Sequence, residues 1–247
     1  MSNSVILKSY IGENMHTPNK DTTILISHGS SGITKAEYNI ADYFCQLGYK
    51  VKLLDYFSSH GISKLWWNYK NSNVDTLSVG IRNMLTDFDL DSSMKYVHIG
   101  FSIGGYAGLL NNEKFVKNYC FYPGMLGFTE NDVNKNYTNT TVITAEYDNW
   151  CDNYSAFEKQ CNKKPRKITA KKCYHGFMLD DKDRQMDIAK YNFPKDVISE
   201  QEANDLKLDH NYLTEKYGYT VDMIRLKSNF SYSKLMLDFI KTDITKI

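Results

Sequence analysis

Ser102 stands in the stretch H-I-G-F-S-I-G-G-Y-A-G, residues 98–108, with Gly100 two positions before it and Gly104 two positions after. A serine hydroxyl becomes a useful nucleophile only when a neighbouring base takes its proton. It must also be lifted clear of its own backbone, which a sharp turn between a strand and a helix achieves when its flanking residues lack side chains. G-x-S-x-G arises by chance often enough that its context decides. Here Tyr96, Val97, His98 and Ile99 read as a short buried strand, and Ile103, Tyr106, Ala107, Leu109 and Leu110 recur at helical spacing. A phosphate-cradling turn is the alternative, but neither G-x-G-x-x-G nor G-K-[ST] is present.

The proton acceptor that suits such a serine is histidine, whose pKa lies near neutrality. Of the six histidines, His175 is the best placed, because it follows a predicted strand and Gly176 permits a tight loop beside it. Asp148 and Asp152 follow the strand-like T-T-V-I-T-A, residues 140–145, between the serine and the histidine in the chain. Asp148 falls three residues after Ala145, at the start of the loop, whereas Asp152 falls just before a helical stretch and suits a helix cap. The backbone N–H of Ile103 and one from the loop H-G-S-S-G, on Ser30 or Ser31, are expected to form an oxyanion hole. His28 in that loop reads as a loop-shaping residue rather than a base. The histidines lack the i, i+4 spacing or cysteine pairs that bind zinc, so neither metal nor cofactor is expected.

To bring these residues together, the intervening elements must form a mostly parallel sheet with helices on both faces, whose strands end at one edge. The pattern predicts strands over 5–9, 22–27, 49–55, 96–99, 117–122, 140–145 and 166–169, and helices over 36–47, 75–87, 103–110 and 154–161. Gly48 provides a helix stop. Beyond the loop at 173–177 the remainder reads as helical, with Ser199 opening a capped segment and residues 232–240 closing the domain.

With 247 residues, 42% of them hydrophobic, the chain suffices for one α/β domain over residues 1–247. Its formal charge of +1 argues against nucleic acid or an acidic membrane surface as a partner, and no oligomeric state follows from it. Cys45, Cys120, Cys151, Cys161 and Cys173 are an odd number with no C-x-x-C pair, which suits reduced thiols in the cytoplasm. The N-terminal twenty residues lack a signal-peptide pattern, and no run approaches the length of a membrane span.

The chain resembles the dienelactone hydrolase family of α/β-hydrolases. The resemblance is carried by I-L-I-S-H-G-S-S-G-I (24–33), Y-F-C-Q-L-G-Y-K-V-K-L-L-D-Y-F (43–57), H-I-G-F-S-I-G-G (98–105), V-I-T-A-E-Y-D (142–148) and Y-H-G-F (174–177). It implies the α/β-hydrolase fold, Ser102 as nucleophile, Asp148 as acid and His175 as base. The founding enzymes use a cysteine nucleophile and a glutamate in the loop after the earlier strand, where this chain has Ser102 and the H-G-S-S-G loop. The expected activity is therefore a serine hydrolase that opens a small-molecule carboxylic ester or lactone through an acyl-enzyme. A thioesterase or peptidase on the same triad, or a non-catalytic binding protein of this fold, are the alternatives. Trp66, Trp67 and Tyr69 in the long connection 56–74 either wall an acyl or aromatic pocket or pack that loop onto the sheet.

Overall fold

The computed structural model describes residues 6–10, 21–58, 82–86, 88–125, 128–148, 153–178, 185–192 and 220–247. Its centre is a seven-stranded sheet. The strands are β1 (Ile6–Tyr10), β2 (Thr22–Ser27), β3 (Lys50–Asp55), β4 (Lys95–Phe101), β5 (Lys117–Phe121), β6 (Thr140–Ala145) and β7 (Arg166–Ala170). Their order is β1-β3-β2-β4-β5-β6-β7, with β1 antiparallel to β3 and the other six strands parallel. β4 is thus the middle strand, and its carboxyl end is the centre of the edge where loops can converge.

From β2 to β6 the sheet is buried on both faces, and the alternation of side chains shows how. Ile24, Ile26, Val51, Leu53, Val97, Ile99, Tyr119, Phe121 and Ile143 belong to one apolar cluster, while Leu25, Leu54, Tyr96, Cys120 and Val142 belong to another. Onto the first cluster pack helix α1 (Lys35–Gln46), through Ile40, Ala41 and Phe44, and the C-terminal helix, through Met236 and Ile240. Onto the second pack α2 (Ile103–Leu110), through Tyr106, Leu109 and Leu110, and α4 (Asn153–Gln160), through Tyr154 and Phe157. The one-turn helix α3 (Glu130–Val133) lies between β5 and β6 in the chain. Residues 82–86 are also helical, within the predicted span 75–87.

The reading of the remainder as helical is corrected by a second, two-stranded antiparallel sheet of β8 (Gln185–Asn192) and β9 (Thr220–Lys227), ahead of α5 (Phe230–Ile244). The physical reason is a period of two: Met186 and Ile188 in β8 are register partners of Leu226 and Ile224 in β9. Trp66, Trp67 and Tyr69, like Ser199 and Asp152, lie outside the described residues.

Candidate active site

β4 ends at Phe101 and α2 begins at Ile103, so the whole reversal of direction falls on Ser102. Its backbone adopts φ 52° and ψ −116°, a conformation that side chains normally avoid and that costs on the order of 1–3 kcal/mol. Neighbouring structure holds it there. Its N–H donates to Phe121 O at 3.0 Å, and its carbonyl accepts from Tyr106 N at 3.1 Å and Gly124 N at 2.9 Å. The flanking glycines are required by contact: a Cβ on Gly100 would stand 2.3 Å from Gly104 O, and one on Gly104 would stand 2.4 Å from Ser27 O. Both obstacles are backbone, which has no means of stepping aside.

The loop after β7 brings His175 against this serine, with His175 Nε2 3.0 Å from Ser102 Oγ. On the ring's other side, His175 Nδ1 lies 2.9 Å from Asp148 Oδ2. An ionised carboxylate only accepts, so Nδ1 carries the hydrogen and Nε2 is left to accept from the serine hydroxyl. Both the His175 and Asp148 side chains are nearly inaccessible, at 6% and 5% exposed. Low exposure strengthens their contact relative to the same pair in water.

Two loops hold that pair in register. Glu146 N donates to Ala170 O and Tyr147 N to Cys173 O, each at 2.9 Å, so the segment after β6 is stitched to the segment after β7. The Glu146 carboxylate also accepts from Lys172 N at 2.8 Å and from Lys171 Nζ at 3.0 Å, and these donors hold its pKa below the ordinary value. Gly176, at φ 76°, turns the chain directly after His175, as its sequence position predicts. The part of the chain expected to be helical also supports this loop. β9 forms a bridge between Leu226 and His175, and the Ser233 hydroxyl at the start of α5 donates to Phe177 O at 2.9 Å.

Of the oxyanion-hole candidates, Ile103 is the first residue of α2, where backbone N–H groups lack helical partners. Gly29 of the H-G-S-S-G loop comes close to Ser102, since a Cβ there would lie 3.7 Å from Ser102 Cβ. The Gly29 carbonyl accepts from His28 Nδ1 at 2.7 Å and from Gly32 N at 3.2 Å. Because that carbonyl and the Ser30 N–H share one planar trans peptide, anchoring the one aims the other in the opposite direction. Ser30 is half-buried and Ser31 exposed. His28 is itself fully buried, with its ring stacked on Tyr56 at 4.0 Å, which agrees with a loop-shaping residue.

Several contributors carried no obvious sequence signal. Tyr122, at φ 34°, sets its ring 4.7 Å from that of His175. A Cβ on Gly124 would stand 3.1 Å from Ser102 Oγ and 3.3 Å from Ile103 N, so the Pro123-Gly124 pair beyond β5 also borders Ser102. A second serine–histidine contact lies beneath the elbow, where Ser27 Oγ is 2.7 Å from His98 Nε2 and His98 Nδ1 is 2.8 Å from Asn118 Oδ1. All three residues are fully buried, and burial pushes the His98 pKa down to about 4. Sealed from solvent, this group ties β2, β4 and β5 together and has no access to a substrate.

The four described cysteines are buried and outside any disulfide, and burial pushes the Cys173 thiol up to about 11, far from a reactive thiolate. Among the described residues no three His, Cys, Asp or Glu side chains gather as a metal site, and no helix is long and apolar enough to cross a membrane.

No model of a known protein family matches the chain, and no curated protein matches it. Among solved structures it is similar to a dienelactone hydrolase from Anabaena variabilis, with 19% identity and a TM-score of 0.44 over 70% of this chain and 88% of that one. It is similar to a dienelactone hydrolase-like promiscuous phosphotriesterase from metagenomic libraries, at 13% identity and TM-score 0.46 over 70% and 84% of the two chains. An alpha-beta serine hydrolase homologue from Coxiella burnetii matches at 18% identity and TM-score 0.43 over 72% and 91%. On its own topology, with six parallel strands, an antiparallel edge strand and a serine at the sharp turn after the middle strand, the chain has the α/β-hydrolase fold.

Proposed function

We propose that the protein is a serine hydrolase that cleaves a small-molecule carboxylic ester or lactone through an acyl-enzyme on Ser102. The observation that carries this reading is the unbroken contact chain from Ser102 Oγ to His175 Nε2 and from His175 Nδ1 to Asp148 Oδ2. In the first step Ser102 Oγ bonds to the ester carbon while its proton passes to His175 Nε2. Asp148 holds the imidazole in the required tautomer and stabilises its cation. The oxyanion is met by the N–H groups of Ile103 and of Ser30, the latter favoured over exposed Ser31 because the anchored Gly29 carbonyl sets its direction.

Collapse of the tetrahedral intermediate breaks the bond to the leaving oxygen, which departs as an alcohol with the proton from His175. Water then gives its proton to His175 Nε2 as it attacks the acyl carbon, and Ser102 leaves with that proton restored. A lactone differs only in that the alcohol and acid products stay joined.

A panel of p-nitrophenyl and naphthyl esters, matched thioesters and matched anilides tests the assignment. Ester turnover that disappears in Ser102→Ala is expected. Turnover of thioesters or anilides with no ester turnover would replace the proposal with a thioesterase or a peptidase.

A further inference from the structure

Gly124 is buried just beyond β5, where its backbone makes no demand for glycine. Its φ is negative, a side of backbone space open to every residue. What excludes a side chain is contact. A Cβ there would stand 3.1 Å from Ser102 Oγ, 3.3 Å from Ile103 N and 3.4 Å from Ser102 C, with no described atom nearer. Neither partner in this contact has slack. Ser102 Oγ is kept by His175 Nε2 at 3.0 Å, and Gly124 N donates to the carbonyl of the strained Ser102 at 2.9 Å. Met125 N donates across Gly124 to Pro123 O at 3.0 Å, and Met125 itself is buried in the apolar cluster that contains Ile103 and Tyr106.

The direction of the absent side chain matters as much as its distance. The point stands almost equally far from Ser102 C and Ile103 N, and those two with Ser102 Oγ are its nearest atoms, so it lies over the face of the 102–103 peptide. An oxyanion in line with the Ile103 N–H is therefore left clear. In the tetrahedral intermediate the acyl carbon carries three groups besides Ser102 Oγ. The oxyanion turns to the Ile103 N–H, the leaving oxygen must meet the proton on His175 Nε2, and the acyl substituent takes the direction that remains.

Building on the serine hydrolase proposed above, we infer that Gly124 is a specificity-determining residue on the acyl side: its bare Cα leaves room for acyl groups branched at the carbon next to the carbonyl. A methyl or methylene on that carbon takes the volume that a Cβ at position 124 would fill. The substrate class narrows accordingly, to esters of α-branched acids and lactones substituted beside the carbonyl. An acetyl group has no use for this space.

The test is Gly124→Ala on the full chain, assayed with the p-nitrophenyl esters of acetate, 2-methylpropanoate and 2,2-dimethylpropanoate. Each rate is divided by the rate of that ester with hydroxide, which removes the intrinsic effect of branching. On this scale the parent is expected to turn over the branched esters within about tenfold of acetate. Gly124→Ala is expected to lower kcat/KM for the branched esters relative to acetate by about tenfold or more, the effect of one methyl too many in a fitted pocket.

Gly105→Ala is the control, since a Cβ there would meet Phe121 O at 3.1 Å and Pro123 Cα at 3.2 Å, tight contacts with backbone under the same segment. It is expected to lower the melting temperature and leave the ratio of branched ester to acetate as in the parent. An equal fall for all three esters in Gly124→Ala, an unchanged ratio, or a ratio that Gly105→Ala shifts as far would make Gly124 a structural glycine and overturn the inference. So would a parent that takes acetate but refuses the branched esters, a result that needs no variant to fold. A parent that turns over no ester would overturn the proposed function instead. The same acyl series is then read on the matched thioesters and anilides, and a parent inert to those as well would reject the inference too.

Discussion

Asp148 Oδ2 lies 2.9 Å from His175 Nδ1 although the two residues sit on different loops, after β6 and after β7, that are stitched together by backbone hydrogen bonds. Asp148→Asn keeps the size of the side chain but lets its amide donate, which turns the imidazole toward the wrong tautomer. A fall in kcat of about 10⁴ with little change in melting temperature is the expected outcome of steady-state kinetics and thermal melts. Asp152→Ala, on the sequence argument that this residue caps a helix, is expected to cost about 1 kcal/mol of stability and to leave kcat within a small factor. The reverse pattern would exchange the two roles.

How much of this was legible follows from the range over which each feature is determined. The turn at Ser102 depends on a strand, two glycines and a helix within about a dozen residues, so local pattern suffices to read it. Asp148 and His175 were legible because strands ending in loops repeat along the chain in a fixed order. The grouping of Ser27, His98 and Asn118 was not, because it depends on strands 71 and 20 residues apart whose neighbour relations no periodicity reveals. Glu37 did carry a signal: T-x-x-E ahead of an apolar helix spells a capping box. In β8 and β9 the alternation of Met186 with Ile188 and of Ile224 with Leu226 outweighs the helical reading, because antiparallel pairing rewards a period of two.

The strained turn yields a prediction about stability that is separate from activity. Alanine at position 102 retains a Cβ and with it the conflict at φ 52°, whereas glycine occupies such angles freely. Ser102→Gly is therefore expected to be more stable than Ser102→Ala by about 1 kcal/mol, after allowing for the greater freedom of glycine in the unfolded chain. Urea melts of the two inactive variants, compared side by side, measure this directly. A more stable alanine variant would mean that the turn is not strained.

Acid sensitivity should report on His98. Burial places its folded pKa at about 4 against the ordinary 6.5, so the folded state refuses a proton that the unfolded chain accepts. Above pH 6.5 neither state binds it and the full stability is present. As pH falls from 6.5 toward 4 the unfolded chain alone is protonated, and stability on the order of 3 kcal/mol is lost. Urea unfolding at intervals across that window is expected to show the loss, and His98→Gln is expected to flatten the slope. An equal slope in the variant would assign the acid sensitivity to other groups.

The central claim is that Ser102 is the nucleophile, and covalent labelling with a fluorophosphonate followed by peptide mass mapping tests it most directly. The contact of His175 Nε2 with Ser102 Oγ at 3.0 Å predicts one phosphonyl adduct per chain, located on Ser102, with labelling lost in Ser102→Ala and strongly slowed in His175→Ala. An unlabelled parent, or an adduct on any other residue that persists in Ser102→Ala, would contradict it.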